Sequence, residues 1–330
     1  MEKRKRTKIG KSPITWIVVI VLCALLITYA LILISSLLWG FMTSLKDPRE
    51  FSDLDFQNVM GLPSLNRNQV PNSWDEVFRL ENYRIIFENL TYDYTMPFYM
   101  GQTEVVHEVK DVNLLGMLWN TLFYTIGGAL IYAIMPCMTA YLCAKYDEFK
   151  LSGAIFVVYL FMMSMPIVGN YPTELTFLRN IGIYDTIWGN YIQKMTGSGM
   201  YFFVYYAYFK GVSNTYREAA EIDGASQFRV MVTIYFPLAI NMISTVFLIQ
   251  FVTLWNDYQT PLMYLPTHPT LAFGIYLLNT GNGSGENLRK LYYTTIRMAG
   301  CMMLAVPITI IFVIFKERLM GDVSLGGIKE

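Results

Sequence analysis

Charge is scarce in this chain of 330 residues, where Asp, Glu, Lys and Arg together make up 15%. A soluble domain carries about a quarter. The 25 basic and 25 acidic residues cancel, and the only dense basic run is Lys3, Arg4, Lys5, Arg6, Lys8 and Lys11. No distributed patch exists for a nucleic-acid partner, since phosphate binding needs clustered cations. Histidine is nearly absent: His107 and His268 lie far apart and outside the apolar windows, which excludes a zinc cluster or a histidine relay. The four cysteines, Cys23, Cys137, Cys143 and Cys301, show no CxxC spacing and all fall in apolar windows, so they are expected to be small core residues. No full GxxxxGK[ST], GxSxG or HExxH sequence occurs, hence no ATP-binding loop, esterase elbow or zinc-protease helix is expected. No catalytic residue, metal or cofactor is expected. Gly281, Gly283, Ser284 and Gly285 read as a flexible loop tip.

What fills the space is apolar: 54% of the chain is apolar and 15% of the chain is aromatic, with a mean hydropathy of +0.36. Charge-free windows cover 12–45, 112–144, 151–173, 195–209, 230–256 and 298–315. About 20 apolar residues cross a bilayer, so the chain reads as an all-α integral membrane protein. Six transmembrane helices are predicted near 14–43, 115–144, 151–170, 198–214, 238–259 and 297–315, the fourth being short. The stretch Ile14 to Met42 exceeds the apolar core of a signal peptide and no small-residue cleavage site follows it, which makes it a retained anchor. With a cytoplasmic N-terminus, the inside segments hold 14 Lys and Arg in 62 residues and the outside segments 11 in 137. That asymmetry places both termini in the cytoplasm. The resulting organisation is a basic N-terminus over 1–13, a first span over 14–43, a long extracytoplasmic loop over 44–114, and a core over 115–330. The core includes a cytoplasmic loop over 214–237 and a cytoplasmic tail over 316–330. The long loop, with Pro48, Pro63, Pro71, Pro97 and Tyr92-Asp93-Tyr94, has room for a small outer cap.

The loop over 214–237 carries the most specific pattern. Thr215 with Glu218 three residues later fits a capping box that begins a helix, Gly224 fits the residue that ends it, and Ser226 fits the cap of a second helix running into the next span. A short helix, a glycine turn and another helix form a knob with small side chains on it, able to dock in a groove. The spacing is Glu218-Ala219-Ala220, three residues, Gly224, nine residues, Ile234, two residues, Pro237.

This pattern resembles the coupling motif of permease subunits in binding-protein-dependent ABC importers. Other landmarks extend the resemblance to the carbohydrate importers of MalG-like kind: Ser44-Leu45-Lys46, Asn82-Tyr83, Asn120-Thr121, Ala140-Tyr141 with Lys145, Trp255-Asn256-Asp257-Tyr258 with Pro261-Leu262, Pro307, and Gly326-Gly327-Ile328-Lys329. Two features depart from it: Ser213-Asn214 stands where a proline is usual, and the stretch between Asn82 and Asn120 is longer than usual. The resemblance implies the MetI-like permease fold and a bacterial inner (plasma) membrane location. It also implies three kinds of partner, a cytoplasmic ABC ATPase dimer, a second permease subunit forming a heterodimer, and an extracytoplasmic sugar-binding protein, with the chain embedded in membrane lipid. Glu218, Ala219, Ala220, Asp223, Gly224, Ile234 and Pro237 would couple to the ATPase, which alone hydrolyses ATP. The cargo implied is a carbohydrate of oligosaccharide size, moved by alternating access.

Some residues admit two readings. Glu218 serves as a cap alone, or as a cap and an intersubunit ion pair. Gln250, Thr253, Asn256 and Thr260 recur every three to four residues along the fifth predicted span, a stripe that suits a translocation path or helix–helix hydrogen bonding. Asp257 suits the mouth of such a path or a solvated helix end before Pro261. Rival classes are an ABC permease for a non-sugar solute and a secondary transporter. The second needs ionisable groups within the spans for coupling; only Asp257 approaches that.

Overall fold

The computed structural model describes residues 13–48, 50, 59–61, 63, 78–100, 103–165, 171–195, 199–280, 291 and 293–321, with the side chains of 94–111 and 316–321 outside the description. The basic run Lys3 to Lys11, the tip Gly281 to Gly285 and the tail Gly326 to Lys329 lie outside the described residues. The chain forms two compact units, one of 1–83 with 293–302 and one of 84–292 with 303–330.

In the first unit, α1 (Pro13–Ser44) is a 32-residue helix with no charged side chain. Its apolar window has none of its residues buried, as expected of a helix whose solvent is lipid. Cys23 is exposed on it, which corrects the expectation of a core cysteine: a helix apolar all round has no inner face. At its end the two landmark tripeptide and dipeptide sites meet. Asn82 Nδ2 donates to the carbonyls of Ser44 at 2.8 Å and Lys46 at 2.9 Å, and the Tyr83 and Ser44 hydroxyls are 2.6 Å apart. Lys46 is fully buried, donating to the Val59 carbonyl at 3.2 Å, and burial pulls its ammonium below the ordinary lysine range against the opposing attraction of Glu50. Arg79 closes the turn on Asp47 at 2.7 Å.

The second unit opens with α2 (Glu81–Asn89, whose first three residues belong to the first unit) and a hairpin of β1 (Thr91–Met100) and β2 (Thr103–Asn113). The strands are antiparallel from Thr91 opposite Asn113 to Met100 opposite Thr103, with an irregularity between Tyr92 and Tyr94. The architecture is therefore not purely helical. The later part of the long loop forms this hairpin, and Tyr92 is buried against Phe273 at 5.2 Å between ring centroids.

The centre is α3 (Leu114–Lys145), a 32-residue helix. Asn113 caps it by accepting from the Gly116 N–H at 2.9 Å. Its glycines and alanines allow neighbouring helices close approach. It packs on α6 (Ile187–Lys194), α7 (Gly199–Gly211) and α11 (Ile240–Trp255). Between these come α4 (Lys150–Ser164), α5 (Tyr171–Asn180), α8 (Thr215–Ile222), α9 (Gln227–Val230) and α10 (Phe236–Leu238). After them follow α12 (Gln259–Tyr264), α13 (Leu271–Thr280) and α14 (Thr294–Gly321), the last of which contributes to both units. One core joins Ala133, Cys137, Ala140, Tyr141 and Ala144 of α3 to Phe202, Tyr205 and Phe209 of α7 and to Tyr235. The aromatic run 201–209 thus contributes its Phe202, Tyr205 and Phe209 face to packing. A second core gathers Tyr124, Ala129, Phe251, Leu254, Trp255 and Leu265, and the Trp255 indole donates to the Leu304 carbonyl at 3.0 Å. The Asn120-Thr121 landmark holds the start of α13: Asn120 donates to the Pro269 carbonyl at 3.1 Å and Thr121 accepts from the Leu271 N–H at 2.8 Å.

Each predicted span overlaps a helix, residues 166–170 lying outside the description. Among the described residues only α1, α3 and α14 are long and apolar enough to cross a membrane singly; the pair Gln227–Leu238 and Ile240–Trp255 passes jointly but is bent by 75°. The predicted span 151–170 yields a 15-residue helix and 198–214 a 13-residue one.

Candidate functional site

The knob over 214–237 forms from α8 to α10. The expected capping box does not. Asn214, not Thr215, is the residue before the helix, and it already has helical angles (φ −73°, ψ −14°) with no side-chain cap bond. A side-chain cap needs an extended backbone at that position, and the Asn214 amide oxygen is taken instead by Lys145 Nζ at 3.0 Å. Thr215 is inside the first turn, its hydroxyl 2.8 Å from that of Ser213 and its N–H donating to the Ser213 oxygen at 3.2 Å. The Glu218 N–H reaches the Asn214 carbonyl at 3.0 Å. Among the described residues no hydrogen bond or ion pair holds the Glu218 carboxylate, which is exposed.

The other end forms as expected. Gly224 has φ +77°, its N–H donates to Glu221 at 3.0 Å, and the Ala225 N–H reaches back to Ala220 at 2.9 Å. These are the two bonds of a Schellman motif. Ser226, with extended angles, accepts from the Arg229 N–H at 3.4 Å. The continuation into the next span is broken rather than smooth. Residues Met231–Tyr235 make a π-helical turn, in which the Phe236 N–H donates to Met231. Pro237 has no N–H and its ring crowds the preceding turn, so the α ladder cannot run through. Past Ala239 the axis turns by 75° into α11. The motif's last two positions thus mark the break, and Ile234 points into an open groove of about 550 Å³ bounded with it by Tyr216, Ala219, Ala220 and Asp223.

A dense set of contacts ties the knob to the end of α3. Lys145 is 3% exposed; besides Asn214 its ammonium donates to the Val212 carbonyl and lies 5.4 Å from the Tyr235 ring centre. Arg217 donates to the Lys145 carbonyl, stacks 5.0 Å over Tyr146 and pairs with Glu221 at 3.4 Å. Gln227 donates to Glu221 at 3.0 Å and accepts from the Tyr146 hydroxyl. Close by, the Lys210 ammonium hydrogen-bonds Asp147 at 2.6 Å and holds its carboxyl below the usual carboxylate range. Inward-facing polar groups are therefore spent on anchoring. The outward face is left with Glu218, Ala219, Asp223 and the apolar Ile222, 86% exposed. Sequence reasoning passed over Ile222, Arg217 and Tyr146; an isoleucine inside an otherwise polar loop was the available signal for the first.

On α11, Gln250 donates to the Tyr201 hydroxyl at 2.9 Å. Thr253 and Asn256 are exposed and bond back to the carbonyls of Ile249 and Val252 at 2.9 Å each. Asp257 accepts from the Tyr124 hydroxyl at 2.6 Å and from the Thr260 N–H at 3.1 Å.

Residues 137–321, more than half the chain, match the family model described as binding-protein-dependent transport system inner membrane component. The chain is similar to a probable permease protein, AmyC, of a transport system for starch degradation products from Thermoanaerobacterium thermosulfurigenes, with 24% identity over 77% of this chain and 90% of that one. It is also similar to NgcG, a diacetylchitobiose uptake permease protein of Streptomyces coelicolor, with 23% identity over 92% and 86%. In fold it resembles a chain of the crystal structure of a bacterial ABC transporter involved in import of the acidic polysaccharide alginate, with a TM-score of 0.72, 18% identity, and 93% and 98% of the two chains covered. Apolar helices around a glycine-capped, proline-ended motif and this match over residues 137–321 lead to one conclusion: the chain belongs to the family of inner membrane components of binding-protein-dependent transport systems.

Proposed function

We propose that the chain is a permease subunit of an ATP-driven importer for a carbohydrate of oligosaccharide size. It crosses the membrane six times with both termini in the cytoplasm, and it works with a second, non-identical permease subunit, a cytoplasmic ATPase dimer and an extracytoplasmic sugar-binding protein. The observation that carries this reading is α8. Its inner side is saturated by Lys145, Arg217 and Tyr146, while its outer side offers an unpaired carboxylate, Ala219 and a bare isoleucine beside a groove. A lone exposed isoleucine is ordinary by itself; here it stands next to a groove lined by small residues, which admit close approach. Glu218, Ala219, Ala220, Asp223, Gly224, Ile234 and Pro237 form the ATPase-coupling surface, with Glu218 paired to a cation on the ATPase. The carbohydrate cargo is supported by the relatives, which are permeases for starch degradation products and diacetylchitobiose. Gln250, Thr253, Asn256 and Asp257 follow the solute path along α11, where Thr253 and Asn256 are exposed.

The test is Glu218→Gln in the importer reconstituted in liposomes. With no capping box in play, the substitution forfeits locally only the charge near a helix start, about 0.3–1 kcal/mol. Losing one partner of a desolvated interface pair costs about 2–5 kcal/mol. Stimulated ATP hydrolysis should therefore fall at least about tenfold with membrane insertion intact. Wild-type coupling would remove the ion pair, and ATP-independent uptake by the chain alone would remove the importer reading.

A further inference from the structure

The outer-side segment holds a buried cation that the coupling surface does not use. Lys194, the last residue of α6, is 4% exposed. Its ammonium donates to Asn190 Oδ1 at 2.5 Å and to the Tyr124 hydroxyl at 3.3 Å, and lies 4.4 Å from the Tyr124 ring centre. No carboxylate is in direct ion-pair contact with it among the described residues. The Tyr124 hydroxyl has one proton, and that proton goes to Asp257 Oδ2 at 2.6 Å. The bonds therefore run in one direction, ammonium to hydroxyl to carboxylate, across α6, α3 and the end of α11. Room for the lysine stem comes from Gly128: a Cβ there would lie 3.1 Å from Lys194 Cδ and 2.8 Å from Leu254 Cδ1.

A buried charge costs several kcal/mol unless another charge and hydrogen bonds compensate it. The other acid nearby, Glu174 of α5, is already engaged by Gln193 at 2.7 Å and by the Tyr264 hydroxyl at 2.9 Å. We propose that Lys194 is the counter-ion of Asp257, acting through the Tyr124 hydroxyl, and that the three residues form a latch positioning the outer end of α11 against α3 during the transport cycle. Lys194 and Tyr124 are positioning residues here. Burial pulls the Lys194 ammonium down to about 7, against the upward pull of Asp257 and then Glu174; Tyr124, Tyr132, Glu174, Asp257 and Tyr264 are the titratable groups around it.

Fold and latch then respond to pH with opposite signs. The folded-state value near 7 lies below the ordinary 10.5, so the unfolded chain binds more protons between the two, and Lys194 makes the fold more stable as pH rises through that window. The latch needs the charged form and weakens as pH rises through about 7.

The proposal rests on the importer reading for its first assay: Mg-ATP hydrolysis from pH 6 to 9 by the reconstituted complex carrying wild type, Lys194→Met, Asp257→Asn or both. Wild-type turnover should fall at least about threefold across the titration, each single variant should be slow and lack the inflection, and the double variant should recover most of the lost turnover because no uncompensated buried charge remains. Turnover that rises with pH alongside the thermal midpoint would assign Lys194 to the fold alone and overturn the latch. So would a Lys194→Met protein that keeps both the wild-type rate and its inflection, or a double variant as slow as the singles. If the wild-type complex hydrolyses no ATP, the importer reading fails and a second measurement decides the latch. Asn256→Cys, in a purified chain lacking the four native cysteines, should react with a charged maleimide about tenfold faster when Lys194→Met is added; an equal rate overturns it.

Discussion

Gly224 separates two demands that a turn at a docking surface places on one residue. Its φ of +77° lies in the left-handed region, which costs an ordinary L-residue about 1–2 kcal/mol, whereas asparagine tolerates it better. Nothing lies within 4 Å of where a Cβ would sit, so within the chain the cost is conformational and not steric. An energy of that size shifts the local equilibrium of the turn by about 5- to 30-fold, away from the two Schellman bonds that aim Ala225 and Ser226. Because the knob is solvent-exposed, the thermal midpoint of the whole chain should hardly move. Stimulated ATP hydrolysis by the reconstituted importer should rank glycine first, then Gly224→Asn, Gly224→Ala and Gly224→Val. If a partner instead presses on this position, side-chain size decides, and Gly224→Ala will outperform Gly224→Asn. That reversed order, or equality of all four proteins, refutes the backbone argument.

Two further substitutions probe the frame behind the knob. Lys145→Met leaves the Val212 carbonyl and the Asn214 amide without their donor, about 0.5–1.5 kcal/mol for each lost bond at this part-buried site; insertion should persist while coupled hydrolysis drops, and an unchanged rate would show the anchor to be dispensable. Gly189→Ala places a methyl against the Ile183 carbonyl oxygen and 2.8 Å from Thr186 Oγ1, which should displace the start of α6 and lower the thermal midpoint in detergent, with an unaltered melting curve counting against the geometry.

The long charge-free windows made α1, α3 and α14 legible, because a helix in lipid satisfies its own backbone and leaves only composition to read. Gly224 was legible for a local reason, since the helix stop is written in one residue's freedom at positive φ. The capping box misled because Thr215 and Glu218 carry the right local pattern, while the decisive contact, Lys145 to Asn214, joins residues 69 apart. Long separation in sequence likewise hid the pairing of Asn82 with the end of α1, 38 residues apart, and of Thr121 with Leu271, 150 apart. In the outer loop, Thr91 to Val112 holds the β-branched and aromatic residues of a hairpin, but Pro97 and interspersed charges blur the period-two alternation that identifies strands. Lys194 escaped for another reason: a charge in a polar outer segment reads as solvated, and only the arrangement of α3 around Gly128 buries it.

Glu218, Pro237 and Asp257 sit at successive points of one mechanical line. The knob is fixed by Lys145 and Arg217 to the end of α3, so a displacement imposed on its outer face cannot be absorbed by the loop alone. It passes into the turn of residues 231–239, where Pro237 removes a rung of the helix ladder and the axis bends by 75°. A break of this kind concentrates rotation at a few residues, as hinges do. Beyond it α11 is an unbroken 16-residue helix, about 24 Å long at 1.5 Å per residue, buried along Val246, Leu248, Phe251, Leu254 and Trp255. A close-packed helix moves as a body or not at all, so rotation at residue 239 must appear at residue 257, where Asp257 meets Tyr124. On the proposed latch and coupling surface, the proline that ends the motif and the carboxylate at the far end of α11 would belong to the same device, and stiffening the hinge or cutting the latch should abolish the same coupling from the two ends of α11.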